Sequence, residues 1–237
     1  MSSLTGSKSV KKYPFSSWSQ SELICVRNAI KGAWNNVTAN KSNKLLTSSE
    51  EEITEKLEYE IQRLMDKEII QGFSPSLFQT IVRGAKFRSY NDAHLEKQPD
   101  LTLRQIGLRP GLVDDSRHEA LFIECKVIDS GKTPLMYIEN GIRRFTDGEY
   151  AWAMPHATML AFVKNTATIP NSLEESFGRN KSKAIIKRCS PLKNEYTEAT
   201  GSSVPKTLCT THSRNWSHPK YGPPGDIRLE HIWLSCN

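Results

Sequence analysis

The segment ALFIECKVI, residues 120–128, constrains this chain more than any other stretch. Its nearly continuous apolar character suits a strand buried on both faces. Within it, Glu124 and Lys126 are separated by one residue. The period-2 geometry of a strand sends both to the same face and Cys125 to the other. A carboxylate and an ammonium in such a strand cost several kcal/mol unless something compensates them. The chain has 26 acids, yet Glu124 is the only one followed two positions later by lysine.

The flanking segments supply a sheet for that strand. PDLTLRQIGL alternates cleanly after Asp100, and FQTIVRGAKFRSY before it alternates roughly and carries basic residues. A hairpin would bring Asp100 beside Glu124. Further upstream, Thr47-Ser48-Ser49 precedes EEEITEKLEYEIQRLMDKEII, with the hydroxyl caps and acidic first turn of a helix start. On that helix Ile53, Leu57, Ile61, Leu64 and Met65 form one stripe. Glu51, Glu52, Glu55 and Glu58 point away from it, Glu60 lies at its margin and Glu50 is in line with it. Glu50 is therefore either a dipole-compensating first-turn acid or a site residue. Downstream, YIENGIRRFTDGEYAWAM reads as a helix over 137–154 interrupted at Gly148, and ATMLAFV as a buried strand. The order is α, β, β, β, α, β.

Both ends differ in character. Residues 1–12 read as a flexible basic arm and Ser17–Trp34 as a helical preface, so 1–46 forms an extension. The motifs fill 47–165. Residues 166–237 begin as a polar, loop-like insertion around one short helix from Ser172 to Lys187. They end in KTLCTTHSR and DIRLEHIWLSC, two strands able to pair and extend the sheet of the same domain.

Two carboxylates held close repel unless a cation lies between them, and Mg²⁺ accepts hard oxygen ligands. Asp100 and Glu124 form such a pair, with Lys126 beside it to orient or deprotonate a water or to stabilise charge on a phosphate. That combination suits metal-assisted hydrolysis of a phosphodiester. A rival pair, Asp114-Asp115, follows RPGLV in a turn-like context, and a buried Glu–Lys pair made only for structure is the bland alternative. The following helix offers Arg143, Arg144 and Tyr150 toward a phosphate backbone, or else a solvated face and core aromatics. His212 and Arg214 share a strand face and make a second nucleic-acid contact conceivable. Cys209-x-x-His212 lacks the remaining spacing of a zinc finger.

Helix with an acid, strand, Pro99-Asp100, strand, Glu124-Cys125-Lys126, helix, strand resembles the PD-(D/E)xK nuclease superfamily over residues 47–164. The resemblance implies an α/β fold: a restriction-endonuclease-like α-β-β-β-α-β core, with a mixed central sheet flanked by helices and here a C-terminal β extension. It implies metal ligation by Asp100 and Glu124, an acid from the first helix in Glu50, and a water positioned or activated by Lys126. The implied cofactor is Mg²⁺, with Mn²⁺ able to substitute. The implied activity is (endo)nucleolytic hydrolysis of DNA leaving 5′-phosphate and 3′-hydroxyl ends, in a setting such as bacterial defence or restriction. An inactive nucleic-acid-binding or scaffold module of the same fold, or an RNA-processing nuclease, are the alternatives. Cutting both strands of a duplex requires two sites, which a homodimer or a partner protein would supply.

Composition is permissive. Across 237 residues, 32 Lys+Arg against 26 Asp+Glu give +6, which suits an anionic partner without naming one. No apolar run approaches the ~18 to 20 residues needed to cross a bilayer. Cys25, Cys125, Cys189, Cys209 and Cys236 are an odd set without CxxC, so a disulfide framework is not indicated and a reducing cytoplasm is expected.

Overall fold

The computed structural model describes residues 15–40, 44–107, 116–179, 183 and 207–237. The expected basic arm, Asp114-Asp115, Cys189 and most of the second half of the helix expected over 172–187 lie outside the described residues.

Two helices begin it. α1 (Gln20–Ala39) and α2 (Glu50–Asp66) each start in a capping box, Ser19 with Glu22 and Ser49 with Glu52. The buried face of α2 is Ile53, Thr54, Leu57, Ile61, Leu64 and Met65, the stripe expected from its periodicity.

The strands β1 (Val82–Arg83), β2 (Leu101–Leu103), β3 (Leu121–Ile128), β4 (His156–Val163), β5 (Thr207–His212) and β6 (Ile227–Ser235) form one sheet. Their order is β1-β2-β3-β4-β6-β5. β2 runs antiparallel to both its neighbours β1 and β3, β4 and β6 run parallel to β3, and β5 pairs antiparallel with β6. The molecule is thus α/β with an open, mixed sheet of six strands.

The link from β3 to β4 is one helical rod: α3 (Pro134–Tyr137), a π-helical turn (Ile138–Ile142) and α4 (Arg143–Thr146). A further π-helical turn (Ile169–Leu173) leads into α5 (Glu174–Gly178).

Helices cover both faces of the sheet, and alternation along the strands shows which. Trp34 of α1 stacks on Phe162 of β4. Tyr137 of α3 packs on His231 and Trp233 of β6, which pair in register with Met159 and Ala161 on the opposite face of β4 from Phe162. α1 therefore lies on one side and α3 on the other. One hydrophobic core runs from Phe15 to Cys236.

Two sequence expectations are corrected. FQTIVRGAKFRSY yields only two ladder residues, flanked by the isolated bridges Phe78–Gln105 and Phe87–Lys97. Gly84 at φ +63° turns the chain out of the extended conformation there. The helix expected over 137–154 instead starts at Pro134 and closes at Thr146. Gly148 takes φ +70°, its N–H bonds Phe145 O and the Glu149 N–H bonds Arg144 O, which is a Schellman stop. Tyr150 and Trp152 follow the helix rather than belonging to it.

Cys25, Cys125, Cys209 and Cys236 are buried and form no disulfide with one another. Among the described residues no helix is long and apolar enough to cross a membrane.

Candidate active site

The site forms where the sheet is incomplete. β2 pairs with β3 only at Leu121, Phe122 and Ile123, so β3 continues beyond its neighbour. Residues 125 and 127 then turn N–H groups toward an edge beside which, among the described residues, no strand lies, and a buried donor there needs a partner. Carboxylates fill that role: Asp100 Oδ2 accepts from the Cys125 N–H at 2.7 Å, and Glu50 Oε2 from the Val127 N–H at 2.7 Å. Glu50 can reach because it is the first residue of α2, and Asp100 because it immediately precedes β2.

Lys126 sits among the acids. Its Nζ lies 2.9 Å from Glu124 Oε1, 3.1 Å from Glu50 Oε1 and 3.6 Å from Asp100 Oδ2, and donates to the Cys125 carbonyl. Arg144 Nη1 approaches Glu124 Oε1 at 3.3 Å, and the Tyr150 hydroxyl donates to Glu124 Oε2. Four separate stretches of chain thus converge on one charged cluster. An open cleft of about 380 Å³, bounded by Glu50, Thr54, Arg83, Gly84, Gln98 and Asp100, gives solvent access.

Burial and crowding set the electrostatics. Glu124 is fully buried, and its desolvation, with Asp100 beside it, pushes its carboxyl up to about 7 despite Lys126 and Arg144. Asp100 is also raised, mainly by burial, with Lys126 pulling the other way. Burial would lower Lys126, but Glu124, Asp100 and Glu50 together hold its ammonium above the ordinary lysine value. The lysine therefore carries its proton throughout the neutral range.

Whether these residues suit a divalent ion can be read from the donors. Glu124 Oε1 is shielded from solvent and faces two cationic groups, Lys126 and Arg144. With Asp100, Glu50 and the Cys125 carbonyl it makes a set of hard oxygens of the kind Mg²⁺ accepts. The place between them is taken by the ammonium of Lys126, and among the described residues no group of three or more acid, His or Cys side chains is preassembled as a metal site. The oxygen donors are of the type Mg²⁺ accepts, but an ion would have to displace the Lys126 ammonium to reach them.

The remaining expected contacts separate into two groups. Arg144 is at the site, whereas Arg143 is exposed and paired with Asp147 at 2.8 Å. Tyr150 is fully buried and serves Glu124 instead of a ligand. His212 is also fully buried, with Nε2 and the Thr210 hydroxyl 2.7 Å apart. The Arg214 guanidinium donates to the carbonyls of Ala151, Trp152, Met154, Pro224 and Gly225, so it braces the loop after α4. Neither His212 nor Arg214 presents a surface to a phosphate backbone.

Sequence reasoning passed over Arg83, Gly84 and Gln98 at the cleft mouth: Arg83 ends the two-residue β1, and Gly84 and Gln98 lie in irregular backbone. It also gave no role to Gly141. A Cβ there would meet Met159 Cε at 2.4 Å and Lys126 Cγ at 3.6 Å, so its absence lets the π-helical turn lie directly on the site.

No family model matches this chain, and no curated protein or solved structure matches it either.

Proposed function

We propose that this chain is a divalent-metal-dependent nuclease of the PD-(D/E)xK kind that hydrolyses phosphodiester bonds of DNA. One observation carries the reading: Glu50, Asp100 and Glu124, from three separate elements, lie within 3.1, 3.6 and 2.9 Å of one lysine Nζ at an open cleft. A structural Glu–Lys pair needs one acid, not three. The succession α2, antiparallel β1-β2-β3, helical crossover and parallel β4 favours the restriction-endonuclease-like core implied by the motif order.

Asp100, Glu124 and the Cys125 carbonyl, with Glu50, would hold Mg²⁺, for which Mn²⁺ can substitute. When bound, the ion supplies Lewis-acid polarisation of the phosphate and a water of lowered pKa. Lys126, released from the acids, would donate to the attacking oxygen and orient it. Arg144 is close enough to the acids to contact a non-bridging phosphate oxygen. Tyr150 fixes the Glu124 carboxylate so that its other oxygen stays beside Lys126 and Arg144. The backbone donors of Cys125 and Val127 hold Asp100 and Glu50 in place without side-chain entropy.

Incubation with supercoiled plasmid and with RNA, with Mg²⁺ or with chelator, tests this. The expected result is metal-dependent nicking of DNA that Lys126→Ala and Asp100→Ala reduce by about 10²-fold or more. A wild-type protein that never cuts DNA, or variants that cut it equally well, would overturn the assignment. Cleavage of RNA alone would move the substrate.

A further inference from the structure

We propose that a hollow beside the active site receives an unpaired nucleobase of the DNA strand being cut, an inference that rests on the nuclease reading above. The hollow measures about 420 Å³, within the ~300–1,000 Å³ of ordinary ligand sites. Tyr90 and Trp216 line it as a stacked pair, ring centroids 4.1 Å apart and planes 21° apart, both only part-buried.

The ring pair is held by specific contacts. The Trp216 indole N–H donates to Thr146 O at 2.9 Å and the Tyr90 N–H to Gly148 O at 3.1 Å. A Cβ at Gly148 would meet Trp216 at 2.7 Å and Tyr90 at 2.8 Å, so the left-handed glycine that ends α4 also makes room for both rings. An aromatic platform suits a base of any identity, because every base has a π face.

The polar lining favours a base over a phosphate. Asn91 and Asn215 contribute carboxamides, which both donate and accept. Asp147 and Glu149 also line the hollow, neutralised by Arg143 at 2.8 Å and Lys97 at 3.0 Å. Carboxylates repel a phosphate but accept from the exocyclic amino groups of bases. Position supplies the link to the chemistry. Arg143 lines the hollow and the next residue, Arg144, reaches Glu124. Glu149 lines the hollow too, and its neighbour Tyr150 also reaches Glu124, so two consecutive pairs of residues connect the hollow to the acids and one strand can lay its scissile phosphate at the acids and a nearby base in the hollow. A base can enter only when unpaired, which makes single-stranded or locally opened DNA the substrate.

Binding measured in chelator separates this from cleavage. A labelled single strand of about 12 nucleotides and the same sequence as a blunt duplex are titrated at one salt concentration. Wild type is expected to bind the single strand about tenfold or more tighter than the duplex. Tyr90→Leu should weaken single-strand binding about tenfold and Asn215→Ala about threefold, with duplex binding unchanged. Asn215 is exposed, so its variant decides the matter if Tyr90→Leu fails to fold. Equal affinity for the two DNAs, absent binding of the single strand, or unchanged binding by folded Asn215→Ala would overturn the pocket. If the binding pattern holds but Mg²⁺ never produces cleavage, the nuclease reading falls and the hollow stands as a nucleic-acid site. If DNA is cut while the pocket variants bind as wild type does, the pocket alone falls.

Discussion

Glu124 is the residue at which the site most affects the stability of the molecule. Its carboxyl is raised from 4.5 to about 7 by burial and by Asp100, so the folded chain holds that proton more tightly than the unfolded chain. Stability from this group is therefore greatest below about pH 4.5 and declines as pH rises to about 7, by on the order of 3 kcal/mol. Urea midpoints in chelator at pH 5 and pH 8 should show Glu124→Gln losing less stability over that interval than wild type. Equal losses would mean that Glu124 is not strained by burial. Lys126 gives the complementary prediction. Its ammonium competes with any divalent ion for Glu50, Asp100 and Glu124. Lys126→Ala should raise the affinity for Mg²⁺, read as a larger Mg²⁺-induced rise in thermal midpoint at pH 8, while abolishing cleavage. A smaller rise than in wild type would contradict that competition. Period-2 geometry was enough to put Glu124 and Lys126 on one face from sequence. The anchoring of Asp100 and Glu50 on the Cys125 and Val127 N–H groups was not legible, because it depends on where β2 stops.

Among the elements, the rod from Pro134 to Thr146 decides how close Arg144 comes to the acids. Its π-helical centre places Gly141 against Met159 and Lys126. In Gly141→Ala the new methyl must displace Met159 Cε, the flexible end of a side chain that is nevertheless fully buried. The expected cost is about 1–3 kcal/mol. Moving the rod outward should also draw Arg144 away from Glu124, so nicking should fall by more than the loss of folded protein explains. Denaturation midpoints and plasmid nicking measured together check this, and full activity in a destabilised variant would detach the rod from the chemistry. The sequence reading of this helix overran its end because ring-rich residues 150–154 continue an apolar pattern. The stop at Gly148 is a backbone event, and only the glycine itself hinted at it. The start and the buried stripe of α2 were legible because caps and stripe both lie within the element, but the helix ends at Asp66, four residues short of the segment read as helical.

Over the whole molecule, the segments before and after the motifs are joined through the core. Arg27 of α1 bonds Glu230 of β6 in a buried pair, and the Trp34 indole N–H donates to Ser235 O at 3.0 Å. Such pairing could not be read from the chain, since the partners lie about two hundred residues apart and neither belongs to a motif. Burial raises Glu230, against the pull of Arg27, so the acid tolerates its place only with the guanidinium present. Arg27→Met should therefore cost about 3–5 kcal/mol, because it strands a buried carboxylate. Adding Glu230→Leu removes that charge, and the double variant should recover most of the loss. A double-mutant cycle by urea denaturation measures the coupling. Since α1 lies across the sheet from α3, the recovered double variant should cut DNA at the wild-type rate if α1 serves only to complete the core. A folded double variant with impaired cleavage would instead make the α1–β6 contact part of what positions the site.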